Sequence, residues 1–167
     1  MASDSKLTNS VKTNAMITDD NASLDSLDFN VIKYDTSYHY IFPKTFKSTD
    51  LSSKEIMECE KLLRSYIVDY NTEATKRFGE MTEKFPNQKF NIEAFTIELK
   101  EYGRQYMAVL SDKGEKIIYV NCFCDPTRFK YRDRDLVIVF DGGNCYFNFK
   151  VDLKNRKIFD FMENGVG

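Results

Sequence analysis

The sequence predicts an α+β domain in which one long N-terminal helix packs across a curled antiparallel β-meander. Three observations lead there. A single stretch, Ile56 to Ala74, carries apolar residues three and four apart. From Phe95 onward the apolar period falls to two. Short turn signals separate the later segments, and short connections join neighbouring antiparallel strands. A helix with one apolar stripe needs one partner surface, and a curled sheet with one apolar face supplies it.

The chain has 167 residues, enough for one domain, with a formal net charge of −2. Its 14 Phe and 10 Tyr all lie at or after Phe29, and Trp is absent. Residues 1–28 hold five acids (Asp4, Asp19, Asp20, Asp25, Asp28) and two bases (Lys6, Lys12), a net of −3. That leaves 21 acids and 22 bases for 29–167, a net of +1. A polar segment without rings cannot offset its ordering entropy by burial. Residues 1–28 therefore read as a disordered tail or linker and 29–167 as the folded domain.

Ser52 to Glu55 fits a capping box, with Ser52 as N-cap. Ile56, Cys59, Leu63, Tyr66, Ile67, Tyr70 and Ala74 form the stripe; Lys54, Glu58, Lys61, Asp69 and Glu73 form the wet face. Gly79 is the expected terminator, which gives a helix over 53–78. Phe95, Ile97 and Leu99 alternate with Thr96, Glu98 and Lys100 as a first strand, broken at Tyr102-Gly103-Arg104. Strands follow at 105–110 and 116–124, joined by the turn Ser111-Asp112-Lys113-Gly114. A further apolar run, 136–140, reads as another strand. Asp141-Gly142-Gly143-Asn144 is a hairpin turn rather than a phosphate loop, because no helix follows it. Strands at 145–151 and 158–162 close the meander, joined through Leu153-Lys154-Asn155-Arg156.

This order of elements resembles the cystatin and NTF2-like layouts. They host inhibitors, enzymes and assembly modules alike, so the layout implies no activity. The inhibitory Gln-x-Val-x-Gly loop of cystatins is missing, since Gln105-Tyr106-Met107-Ala108-Val109 lacks the closing glycine. The strings Gly103-Arg104-Gln105-Tyr106, Lys113 to Lys116, Val120-Asn121-Cys122-Phe123-Cys124 and Asp141 to Phe147 resemble small uncharacterised proteins of the Bacteroidetes. That resemblance spans roughly 95–167. It implies a small, often exported or anchored protein, and no catalytic residue.

The residues argue against catalysis more than for it. Cys122 and Cys124 share one strand face, a poor geometry for a four-cysteine zinc site. A disulfide from either of them to Cys145 would skip the strand at 136–140. All four cysteines, Cys59 included, are therefore expected as free core thiols. A cysteine nucleophile needs a base, and the only histidine, His39, lies between Tyr38 and Tyr40 with no mark of a dyad. Asp133 and Asp135 read as solvated carboxylates. No cofactor and no metal is expected. No run of 18 apolar residues is present, so no membrane span is expected. Met1 to Ser10 has no basic start followed by an apolar stretch. The chain reads as cytoplasmic if Met1 is native, and as periplasmic or envelope-anchored if a signal was removed.

The surface candidate is the stretch from Thr127 to Asp135. Arg128, Lys130, Arg132 and Arg134 alternate with Phe129, Tyr131 and Asp133. Asp125, Asp133 and Asp135 dilute the field that a nucleic acid would need, whereas arginine beside aromatic rings suits a protein interface. Arg128, Phe129, Lys130, Tyr131 and Arg132 are thus the expected contacts to a protein partner. The fallback is the wet sheet face around Lys100, Asn148 and Lys150. The expected function is a non-enzymatic binding protein docking a macromolecular partner, in a specific form an immunity or inhibitor protein. The rivals are an NTF2-like pocket enzyme or ligand binder, and an envelope-tethered accessory protein.

Overall fold

The computed structural model describes residues 24–165. The expected tail lies outside the described residues as far as residue 23. From Leu24 onward the chain makes contacts: Leu24 and Leu27 pack on the main core, and the Asp28 carbonyl accepts from the Arg104 amide at 2.9 Å.

The fold is α+β, with one helix and a curled, mixed sheet. Strands β1 (Phe29–Val31), β2 (Lys47–Ser48), β3 (Tyr102–Leu110), β4 (Lys116–Cys124), β5 (Tyr146–Asp152) and β6 (Lys157–Glu163) accompany helix α1 (Ser53–Lys84). The sheet order is β1-β3-β4-β5-β6, and β2 also pairs with β3. From β3 to β6 the neighbours are antiparallel, as the meander requires. The sheet is not wholly antiparallel, because β1 runs parallel to β3. β1 and β2, three and two residues long, are too short to carry a readable alternation.

Helix α1 starts as its capping box dictates. The Ser52 hydroxyl accepts from the Glu55 amide at 3.3 Å, and the Glu55 carboxylate accepts from the Ser52 amide at 2.8 Å. Its end differs from expectation. The helix passes through Gly79 to Lys84, because no cap opposes it there. Pro86 ends it instead: the residue before proline is steered out of the helical region, and Phe85 sits at φ −127° and ψ 68°.

Residues 95–100 do not form a strand; a 3-10 turn at Ile92–Ala94 precedes them and another at Leu99–Glu101 takes in Leu99 and Lys100. A helix side chain has taken the backbone pairing. The Asn71 amide donates to the Ile97 carbonyl at 2.9 Å, and its oxygen accepts from the Ile97 amide at 2.8 Å. Nor does Tyr102-Gly103-Arg104 break the sheet, because β3 runs unbroken through Gly103. The glycine is needed for close approach: a Cβ there would stand 2.7 Å from the Pro126 Cβ and 2.9 Å from the Phe123 ring.

Both faces of the sheet centre are covered. On one face Ile56, Leu63 and Ile67 of α1 pack on Tyr106, Val120, Phe147 and Phe149. On the other, Ile32, Tyr34, Phe42 and Leu136 cover Met107 and Val109. Residues 136–140 form no sheet strand. They cross this second face, tied down by side-chain amides.

The cysteine expectation is corrected with them. Without a strand at 136–140, β4 and β5 are direct neighbours. Cys124 at the end of β4 and Cys145 just before β5 form a disulfide, with Cα atoms 5.1 Å apart. Cys59 and Cys122 remain free and buried. Gly142 and Gly143, both at positive φ, lead into a 3-10 turn at Gly143–Cys145 rather than a hairpin. The bridge spans a sequence separation of 21 residues, and closing a loop of that size contributes about 3 kcal/mol. The double replacement Cys124→Ser with Cys145→Ser is expected to cost that much in urea unfolding. Four free thiols in the denatured, unreduced protein would contradict the bridge.

Candidate functional site

The charged loop is only partly a surface. Pro126 opens a 3-10 turn at Pro126–Arg128, so the stretch is not extended and its residues do not sort onto two faces. Phe129 is 8% exposed and packs with Phe123 and Val137, edge-to-face on the Phe123 ring at 5.5 Å. Arg132 is half-buried and pairs with Asp28 at 2.7 Å. The Arg128 guanidinium lies over the Phe129 ring. Lys130 and Tyr131 are exposed. Of the fallback residues, Lys100 lies in the 3-10 turn before β3, away from Asn148 and Lys150 on β5.

A polar cluster absent from the expectations sits inside the helix–sheet interface. Glu60 of α1 is 4% exposed and Arg104 of β3 is 2% exposed. The Arg104 Nε donates to the Glu60 Oε1 at 3.2 Å, and the Tyr106 hydroxyl donates to the same oxygen at 2.6 Å. Arg104 also donates to the carbonyls of Tyr102 and Leu99. Burial, and then the neighbouring Glu60 carboxylate, push the Tyr106 hydroxyl well above its ordinary range. Burial pushes the Cys122 and Cys59 thiols up to about 12, so neither is a thiolate nucleophile near neutral pH. A spacing signal existed. Position 60 falls on the apolar stripe between Ile56 and Leu63, and Arg104 stands two residues from Tyr102 and from Tyr106, on the strand face that they share. Packed at this depth, the cluster joins helix to sheet and offers no substrate a way in.

The second sheet face carries a group of exposed apolar side chains. A groove of about 520 Å³ runs between residues 136–140 and the outer half of the sheet, with Tyr40, Tyr119, Asn148, Lys150 and Met162 among its lining. Four large apolar side chains around it are exposed: Tyr40, Ile138 (50%), Phe140 (92%) and Met162. Its two charges neutralise each other, since Lys150 pairs with Asp160 at 3.0 Å. Exposed apolar side chains gathered around one groove are the kind of surface that binding faces use. A groove of about 740 Å³ lies at the C-terminal end of α1, where Arg77, Lys84 and Lys89 mix with Glu80 and Glu163 around Tyr70 and Phe95.

His39 stands exposed with its ring against Tyr40, on a different part of the molecule from the two buried thiols. Among the described residues no group of three His, Cys, Asp or Glu side chains is placed to hold a metal ion, and no helix is long and apolar enough to cross a membrane. No family model, no curated protein and no solved structure matches the chain.

Proposed function

We propose that this chain is a non-enzymatic binding protein that docks a protein partner on the second face of its sheet. The observation that carries this is the ridge of Tyr40, Ile138, Phe140 and Met162 beside the groove. Apolar and aromatic residues at the centre of an interface supply most of its energy. An immunity or inhibitor protein is the specific form proposed. The helix laid across the sheet fits a cystatin-like and an NTF2-like layout alike, and the pocket separates them. An NTF2-like enzyme needs an open pocket between helix and sheet with an acid and a donor inside, whereas Glu60, Arg104 and Tyr106 are sealed by packing. The disulfide supports an oxidising compartment, because such bonds persist outside the cytosol. That placement agrees with the exported character implied by the Bacteroidetes resemblance, and a role as an envelope accessory stays compatible with the same docking face.

Phe140→Ala tests the reading. A ring 92% exposed contributes little to the free fold, so thermal stability should be unchanged. Binding to the protein encoded beside this chain, measured by calorimetry, should weaken by about 2 kcal/mol or more, the scale of an aromatic hot spot. Unchanged binding would place the partner elsewhere.

A further inference from the structure

The stretch from Asp135 to Asp141, with bends at Asp135 and Phe140 and no bend between them, has a set of side chains as its backbone partner on one side. The Asp135 carbonyl accepts from the Gln105 amide at 2.8 Å. The Val137 amide donates to the Gln105 Oε1 at 2.8 Å, and the Val137 carbonyl accepts from Asn121 at 2.8 Å. The carbonyls of Val139 and Asp141 accept from Asn164 at 2.6 and 2.9 Å. Residues 135, 137, 139 and 141 thus point their backbone groups at the sheet. A strand presents alternate residues to opposite sides, so Ile138 and Phe140 present theirs away from it. Neither residue makes a backbone hydrogen bond among the described residues. None of 136–140 has a positive φ; the chain bends at Asp135 and again at Phe140, so the straight part of this edge is Leu136 to Val139.

An unpaired edge is a template for another extended chain. Its flanks select which one. Asp135 and Asp141 bracket the apolar run, are exposed, and form no ion pair among the described residues. A second copy paired antiparallel would set Asp135 against Asp141 at both ends, and like charges directly opposed repel. We propose that Leu136–Phe140 binds an extended apolar segment of a partner protein, bracketed by basic residues, through strand addition at the amides and carbonyls of Ile138 and Phe140. This rests on the docking face proposed above and names the partner segment that it takes.

The probe is a short synthetic peptide of alternating valine and threonine with lysine at both ends, titrated into the full chain and followed by amide NMR. Shifts should centre on Ile138 and Phe140. The same peptide with aspartate ends should bind roughly 10-fold more weakly or worse. A version N-methylated at alternate residues should lose binding by a similar factor or more, because it cannot form the ladder. Ile138→Pro removes the outward amide and should abolish the shifts; the N-methylated peptide makes the same test without altering the protein. Equal binding of the methylated peptide, shifts centred elsewhere, no binding of the lysine-ended peptide, or a concentration-dependent dimer of the chain lost in Ile138→Pro would each overturn the proposal. The two readings fail separately. If the peptide does not bind but Phe140→Ala weakens the native partner, strand addition falls and the docking face stands. If the peptide binds and the native partner ignores Phe140→Ala, the docking face falls.

Discussion

Glu60→Leu is expected to destabilise the fold by about 4 kcal/mol, the largest effect of any single replacement considered. The reason is what it leaves behind. Arg104 is 2% exposed, and its Nε would lose the Glu60 carboxylate at 3.2 Å. The Tyr106 hydroxyl would lose its acceptor in the same step. An uncompensated buried cation costs several kcal/mol, whereas the intact pair against an apolar isostere costs little or nothing. Glu60→Leu combined with Arg104→Met should therefore recover most of the loss. For a chain of this size the single replacement should lower the Tm by roughly 10 °C, at about 2–4 °C per kcal/mol. A fall of about 1 °C, or no recovery in the double variant, would mean that the pair does not join helix to sheet as described.

Phe129→Ala is expected to cost about 3 kcal/mol. Its ring fills the small cluster formed with Phe123 and Val137, and it meets Tyr146 edge-to-face at 6.3 Å. Truncation leaves a cavity between β4 and the chain that crosses the second face, and a site held by the Cys124–Cys145 bridge has little freedom to collapse. Tyr131→Ala should cost under about 1 kcal/mol, as surface replacements do. The contrast separates a strap from a recognition loop. If Phe129→Ala left the urea midpoint unchanged, the ring would be available to a partner, as the alternation of bases and rings first suggests.

The sequence is legible where the signal is local. The capping box at Ser52 and Glu55 marks the helix start because both partners lie within one turn. The pairs β3–β4 and β5–β6 are legible from their period and the short turns that join them, whereas the long connection from Cys124 to Tyr146 is not. What fails depends on distant groups. Asn71 withdraws the Ile97 backbone from the sheet, and nothing near Ile97 announces it. Leu136 to Phe140 has the composition of a strand and keeps the alternation of one, yet its pairing comes from Gln105, Asn121 and Asn164. Placing a sheet strand there separates β4 from β5 and hides the disulfide. The docking candidate follows the same logic. Composition drew attention to Arg128–Arg132, whereas exposure assigns the apolar ridge to Tyr40, Ile138, Phe140 and Met162, three separate stretches of chain. Asn148 and Lys150, the sheet-face fallback, line the groove beside that ridge.

Hydrogen exchange of the chain, free and bound to the protein encoded beside it, tests the docking face most directly. Exchange protection follows the backbone groups that a partner covers or pairs. The account predicts slowed exchange at Ile138 and Phe140 and around Tyr40 and Met162, with Lys130 and Tyr131 unchanged. Protection confined to 126–134, or to the wet face of α1 at Lys54, Lys61 and Asp69, would contradict it.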